Sequence, residues 1–175
     1  MRCIKCVLPE HKPDIWMNAD GVCNVCSDFE RAKKLKESKA LLLESDLINT
    51  LNKYRGKYKY DCLVMCRGGK DSTASLYYVK TRYKLNPLAF TFDHGFETED
   101  AIENIKNAVS VLGVEWLFFK SDFMKEMFAE VIKKKSRAVI CHLCSMWYMQ
   151  LTYEIAANFN VPIIIAGWTK GQATV

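Results

Sequence analysis

The stretch Cys62-Leu63-Val64-Met65-Cys66-Arg67-Gly68-Gly69-Lys70-Asp71-Ser72-Thr73 decides how the chain folds. A short run of apolar and small residues enters two glycines, a lysine, an aspartate and two hydroxyls, and 74–80 then read as helix. This is the pattern of a buried strand that delivers a glycine turn to a helix N-terminus. Unpaired N–H groups and the positive end of the helix dipole favour a phosphate there. Gly68 and Gly69 let the backbone approach an anion closely. Lys70 adds a point charge for phosphate oxygens, while Ser72 and Thr73 offer hydroxyls or a cap. The common P-loop motif requires Ser or Thr directly after its lysine, and Asp71 stands in that place, so that motif is excluded.

Gly68, Gly69, Lys70, Asp71 and Ser72 resemble the SGGxDS signature of the PP-loop ATP pyrophosphatases. That resemblance implies a doubly wound parallel α/β sheet of the HUP type. It also implies cleavage of ATP between its α and β phosphates and adenylation of a substrate oxygen. Arg67 stands where the family usually has Ser: a long cation replaces a hydroxyl, and it either does the same job or marks altered chemistry.

Around this centre the chain is ordinary for a globular protein. Its 175 residues are 50% hydrophobic and 26% charged, enough for one domain with a core and a small appendage. No apolar run reaches the ~18 residues of a membrane span and no signal-peptide core follows Met1, so cytoplasm is the expected compartment. The formal charge of +5 is compatible with a nucleotide or RNA partner without arguing for one.

Eight cysteines without an export signal point to metal or redox chemistry, and six of them form three Cys-x-x-Cys pairs. Cys3 and Cys6, sixteen residues, then Cys23 and Cys26 have the spacing of a four-thiolate zinc site. Residues 1–27 are turn-rich and too short for a core of their own, so a tetrahedral ion is expected to supply the missing stability, structurally rather than catalytically. An iron-sulfur cluster on the same thiolates is the competing reading. Cys-x-x-Cys-Val-Leu-Pro, Pro13-Asp14-Ile15 and Asp20-Gly21-Val22-Cys23-Asn24-Val25-Cys26 resemble the N-terminus of the N-acetyl sugar amidotransferases, PP-loop enzymes of surface-polysaccharide biosynthesis.

Residues 28–57 read as a helical linker, with Ser27 as its N-cap, a break near Ser45 and Asp46, and a Lys-rich first half that suits a solvated face. Residues 58–175 read as the ATP-binding domain, in which strand and helix alternate. A second strand, 88–92, ends at Asp93-His94-Gly95. Ligands of open parallel sheets sit beyond the carboxyl ends of strands, so Phe92, Asp93 and His94 are placed for the adenosine. Residues 115–119 predict a third buried strand and 161–166 a fourth. By resemblance Gly167, Thr169 and Lys170, just after the fourth strand, are a second loop against the nucleotide. A doubly wound sheet rarely ends directly after such a loop, so a longer parent chain is expected.

Cys141 and Cys144 are expected just ahead of a helix over 146–159, where the dipole favours thiolates. Three readings stand: two ligands of a [4Fe-4S] cluster, a redox dithiol that handles sulfur, or two packed small residues. The pair resembles the central Cys-x-x-Cys of the tRNA-thiolating PP-loop enzymes. Of the other two cysteines, Cys62 reads as core, and Cys66 borders the phosphate loop.

The leading expectation is an enzyme that binds ATP and Mg²⁺ at Cys66–Thr73 and carries Zn²⁺ at its N-terminus. Lys70 would stabilise departing pyrophosphate, Asp71 would help hold the metal, and sulfur delivered through Cys141 and Cys144 would displace AMP from a tRNA or small-molecule acceptor. A sulfur donor is the partner this requires. The first alternative is amidotransfer to a nucleotide-linked sugar with ammonia from a glutaminase. The second is a non-catalytic, zinc-stabilised adenine-nucleotide module. A homodimer through the Lys-rich helix or the knuckle fits any of these.

Overall fold

A computed structural model of the chain describes residues 1–137 and 140–168, the side chains of 34–38 apart. It divides into two compact units, Met1–Thr50 and Leu51 onward. The first holds the knuckle, with a miniature core of Cys3, Val22 and Cys23 against Ile15 and Met17, and most of helix α1 (Asn24–Tyr54). Helix α1 starts three residues before Ser27, so Cys26 lies in its first turn. It runs unbroken through Ser45 and Asp46.

The second unit is an α/β sandwich made of β1 (Cys62–Met65), α2 (Lys70–Thr81), β2 (Pro87–Asp93), α3 (Glu99–Leu112), β3 (Glu115–Lys120), α4 (Phe123–Lys133), α5 (Ile140–Asn158) and β4 (Ile164–Ile165). The four strands are parallel in the order β3-β2-β1-β4. Every residue of β1 and β2 is buried, which is why both read as continuous apolar runs rather than alternations. Their side chains still alternate between faces. Leu63, Met65, Phe90 and Phe92 join Met124, Phe128, Cys144 and Tyr148 of α4 and α5. Cys62, Val64, Cys66 and Ala89 join Leu76, Val79, Ile105 and Val109 of α2 and α3. Each large side chain so buried contributes about 1.5–3 kcal/mol.

Further expectations fail. Residues 115–119 were expected to be a buried strand, yet among the described residues β3 is an edge strand, paired with β2 on one side, and Glu115, Phe118, Phe119 and Lys120 are exposed. Cys141 and Cys144 were expected ahead of a helix starting at Met146, yet α5 begins at Ile140 and takes both into its first turn. Arg137, Ala138 and Val139, none of them a capping residue, stand directly before Ile140, whereas Ser145 imitates a cap, and the stripe of Cys144, Tyr148, Thr152 and Ala156 is buried. Helix α2 likewise begins at Lys70, with Gly69 as an N-cap that has no side chain, so Ser72 and Thr73 lie within its first turn.

Candidate active site

With strand order β3-β2-β1-β4 and all strands parallel, the sheet grows from β1 first toward β2 and β3 and then to the other side with β4. In such sheets that is where a crevice opens beyond the carboxyl ends of the strands. A cleft of about 230 Å³ lies there, between the loop after β1, the first turn of α2 and the residues after β4. Gly68 makes the turn with φ +73°, and a Cβ on it would fall 2.2 Å from the Ala101 carbonyl oxygen. Gly69 has an ordinary φ of −80° and open space where a Cβ would be, so its bareness serves the cleft and not the fold. The helical ladder begins with Thr73 N–H on Gly69 O at 3.1 Å, and the N–H groups ahead of it have no partner within the helix. Ser72 braces the turn, its Oγ donating to Gly69 O at 3.1 Å and accepting from Arg67 N–H at 3.3 Å. The β4 loop closes on this turn so tightly that a Cβ on Gly167 would lie 2.9 Å from the backbone of Asp71 and Ser72.

Arg67, Gly69, Asp71, Ser72 and Gly167 line the cleft together, joined by Glu97, Tyr148 and Trp168, for which the sequence offered no reading. Lys70 is almost fully exposed at the mouth, paired with Asp71 at 2.8 Å. The side chains of Cys66 and Phe92, expected against nucleotide, are buried in the two cores. Burial also pushes the Cys62 and Cys66 thiols up to about 12, which keeps them protonated. Thr169 and Lys170 lie outside the described residues.

Arg67 does not replace serine over the phosphates in any simple way. Its Nε and Nη2 donate to Glu97 Oε1 at 3.2 and 3.1 Å, and Nη2 stands 3.4 Å from His94 Nε2. Glu97 and His94 are themselves about nine-tenths buried. The Phe96 N–H donates to His94 Nδ1 at 3.1 Å, and His94 Nε2 lies 3.4 Å from Glu97 Oε1. Asp93 is spent on its own turn, accepting from Gly95 N–H at 2.7 Å and facing Lys120 at 3.6 Å. Glu97 follows Arg67 by thirty residues and reads locally as one more acid ahead of a helix. No sequence signal pairs the two.

The Arg67–Glu97 pair stands where three spaces meet. Glu97 also borders a groove of about 900 Å³ along α3 and β3, with Asp93 at its near end. Arg67 also borders a cavity of about 410 Å³ walled by Phe96, Phe128, Ile132 and Ile140, and Cys141 and Cys144 open into it. Cys141 is exposed and Cys144 buried, one helical turn apart. Burial raises the Cys144 thiol, and the Arg67 charge opposes that rise.

In the N-terminal unit the Sγ atoms of Cys3, Cys6, Cys23 and Cys26 lie within 4.8 Å of one another, with Cys3–Cys26 at 3.9 Å and Cys6–Cys23 at 3.7 Å. A tetrahedral ion with Zn–S bonds of about 2.3 Å requires S···S separations of roughly 3.8 Å, so the donor set fits a single ion. Backbone N–H groups of Cys23 and Lys5 point at Cys3 Sγ. They hold that thiol down to about 6, while Cys6 and its other sulfur neighbours push Cys26 up to about 12. With one thiol lowered and two of its neighbours raised, an ion entering this cluster must displace protons from the sulfurs, so its affinity falls as pH falls.

In strand order, glycine turn and switch-point cleft the chain has the fold of the PP-loop ATP pyrophosphatases. Three solved structures of that superfamily share it. The U34-tRNA thiolase NcsA of Methanococcus maripaludis, with its [4Fe-4S] cluster, covers 95% of this chain at TM-score 0.52 and 17% identity. An NMN synthetase of Francisella tularensis covers 68% at TM-score 0.51 and 17% identity. An NH3-dependent NAD synthetase of Campylobacter jejuni covers 68% at TM-score 0.50 and 14% identity. The chain spans 54%, 50% and 52% of those structures respectively. Among curated sequences, an uncharacterized protein of Methanocaldococcus jannaschii is 28% identical over 176 residues, which is 95% of this chain and 58% of that protein. No family model matches.

Proposed function

We propose that the protein is an ATP-dependent, AMP- and pyrophosphate-forming enzyme that adenylates an acceptor oxygen so that sulfur can replace it. One observation carries this reading: the thiol-bearing cavity and the phosphate cleft share Arg67 as a common wall. An acceptor in the first is therefore beside an α-phosphate in the second. The groove beyond Glu97 has room for the nucleoside.

The acceptor oxygen attacks the α-phosphorus, the bond to the oxygen bridging toward the β-phosphorus breaks, and pyrophosphate leaves. Bare N–H groups at the start of α2 and the Lys70 ammonium receive the charge that develops on it. Asp71 is the carboxylate at the cleft that would hold Mg²⁺, which supplies charge neutralisation when bound. A sulfide equivalent then bonds to the activated carbon, the carbon–oxygen bond breaks, and AMP departs with the former acceptor oxygen. With free sulfide no redox change is needed. Cys141 and Cys144 would hold two corners of a [4Fe-4S] cluster, or one would carry the sulfur as a persulfide supplied by a sulfur donor, its release closing a Cys141–Cys144 disulfide that an external dithiol then reduces. The thiolase among the structural neighbours holds such a cluster and aligns with most of this chain. Cys3, Cys6, Cys23 and Cys26 would hold Zn²⁺, their spacing suiting one ion better than four irons.

Protein prepared without oxygen tests the reading. Absorbance near about 400 nm that disappears in Cys141→Ala, with AMP and pyrophosphate formed in the presence of sulfide, supports thiolation. A colourless zinc protein that forms AMP only with ammonia supports amidotransfer, the chemistry suggested by the ammonia-dependent synthetase neighbour. Tight nucleotide binding with no cleavage under either condition makes it a binding module.

A further inference from the structure

Glu97 is a carboxylate in a place that disfavours one. It borders the cleft assigned to an anionic triphosphate, and its side chain is about nine-tenths buried. Burial strips a carboxylate of water, and its charge repels phosphate, so an apolar side chain of similar size would serve stability as well. What Glu97 does is anchor Arg67. Guanidinium Nε and Nη2 converge on Glu97 Oε1 at 3.2 and 3.1 Å, and His94 Nε2 lies 3.4 Å from both Nη2 and Oε1. His94 is held in turn by the Phe96 N–H on its Nδ1. One edge of the guanidinium is thereby fixed to the connection between β2 and α3. The other edge is open: Arg67 is half exposed, and neither Nη1 hydrogen has a partner among the described residues. A free arginine samples many rotamers, whereas an anchored one presents its open edge in one direction, its freedom already lost on folding.

Resting on the adenylation reading, we propose that Glu97 is a positioning residue that aims Arg67 Nη1 at the α-phosphate of the bound nucleotide, with His94 bracing the pair. Arg67 borders both the phosphate cleft and the thiol-bearing cavity, so its open edge is carried at the boundary between them. Because Glu97 offsets the charge of Arg67, the pair adds little general attraction for anions. It supplies direction: two N–H donors at the one phosphate that gains an acceptor oxygen. The outer phosphates are left to the start of α2 and Lys70.

Calorimetric titration of the 175-residue chain with adenosine and AMP, which differ only in the α-phosphate, tests this without requiring turnover. AMP is expected to bind roughly tenfold to a hundredfold tighter, the range of a hydrogen-bonded charge pair. Arg67→Lys keeps the charge and loses the fork, while Glu97→Asp keeps the charge and falls one methylene short. Each is expected to shrink the gap about tenfold, and the two together by no more than either alone, with adenosine affinity unchanged. Glu97→Gln offers an oxygen at full reach and is expected to restore the gap. If Glu97→Asp does not fold, Glu97→Ser, which is short and strands no buried charge, makes the same comparison. Equal loss of affinity for both probes is the mark of a merely structural role and overturns the proposal. So does a gap that survives in either single variant, losses that add in the double variant, or a Gln variant as impaired as the Asp one. Equal affinity for the two probes in the unaltered chain, or no binding at millimolar concentration, overturns it as well. AMP and pyrophosphate formed from ATP without the gap remove this inference alone, whereas the gap without cleavage removes the reaction and leaves Glu97 positioning Arg67 on a nucleotide phosphate.

Discussion

Gly68 and Gly69 are adjacent and chemically identical, yet the structure gives them different work. Gly68 has a left-handed φ and packs its α-carbon on the Ala101 carbonyl, while Gly69 has neither constraint. Gly68→Ala should therefore cost about 2–4 kcal/mol in urea unfolding. Gly69→Ala should change stability by about 1 kcal/mol or less while weakening binding of an ATP analogue at least tenfold. A second residue-scale expectation concerns the core thiols. Cys62 and Cys66 are raised from 9.0 to about 12 by burial, so above pH 9 the unfolded chain releases protons that the folded chain retains. Their contribution to stability is present below pH 9 and is lost as pH rises from there toward 12. Replacing both with Val should flatten stability across that interval, as read by denaturant midpoints. The glycine turn was legible in six consecutive residues, because its chemistry is local. The Arg67–Glu97–His94 assembly was not, because its partners are brought together only by the β1–β2 pairing.

Elements fail or succeed as readings according to what marks their ends. Strands β1 and β2 announce themselves by uninterrupted apolar residues between turn signals. Helix α3 is bounded by a capping Thr98 that accepts from Ala101 N–H and by Gly113 at φ +59°. Helix α5 carries no such punctuation, and its inner stripe is hidden in a sequence that is apolar on nearly every face. That stripe is where its stability is expected to lie. Tyr148 is buried and donates its hydroxyl to the Phe90 carbonyl at 3.0 Å, so Tyr148→Phe should cost about 1–2 kcal/mol and Phe90→Ala about 3–5 kcal/mol. Phe118→Ser, on the open face of edge strand β3, should fall within about 0.5 kcal/mol. Equal losses at Phe90 and Phe118 in chemical unfolding would contradict the edge position of β3.

At the scale of the molecule, two units with separate cores should respond separately. Metal analysis is expected to find one zinc ion per chain. Cys23→Ser or a strong chelator should remove it and unfold the knuckle, while the α/β unit keeps its near-ultraviolet circular dichroism. Loss of both signals together would contradict independent cores. The four-cysteine spacing made the first unit legible because thiolate sites are written in intervals. The parallel α/β class of the second unit was legible from strand and helix alternation, but the meeting of three spaces at Arg67 and Glu97 depends on strand order, which no local pattern encodes.

The whole account turns on which link of a bound triphosphate is broken. Phosphorus NMR of Mg·ATP incubated with the protein, a panel of RNA and small-molecule oxygen acceptors, and sulfide or ammonia reads that link directly. Equal amounts of AMP and pyrophosphate, absent in Gly69→Ala, are predicted. ADP with inorganic phosphate, ATP left intact, or AMP that persists in Gly69→Ala would contradict it.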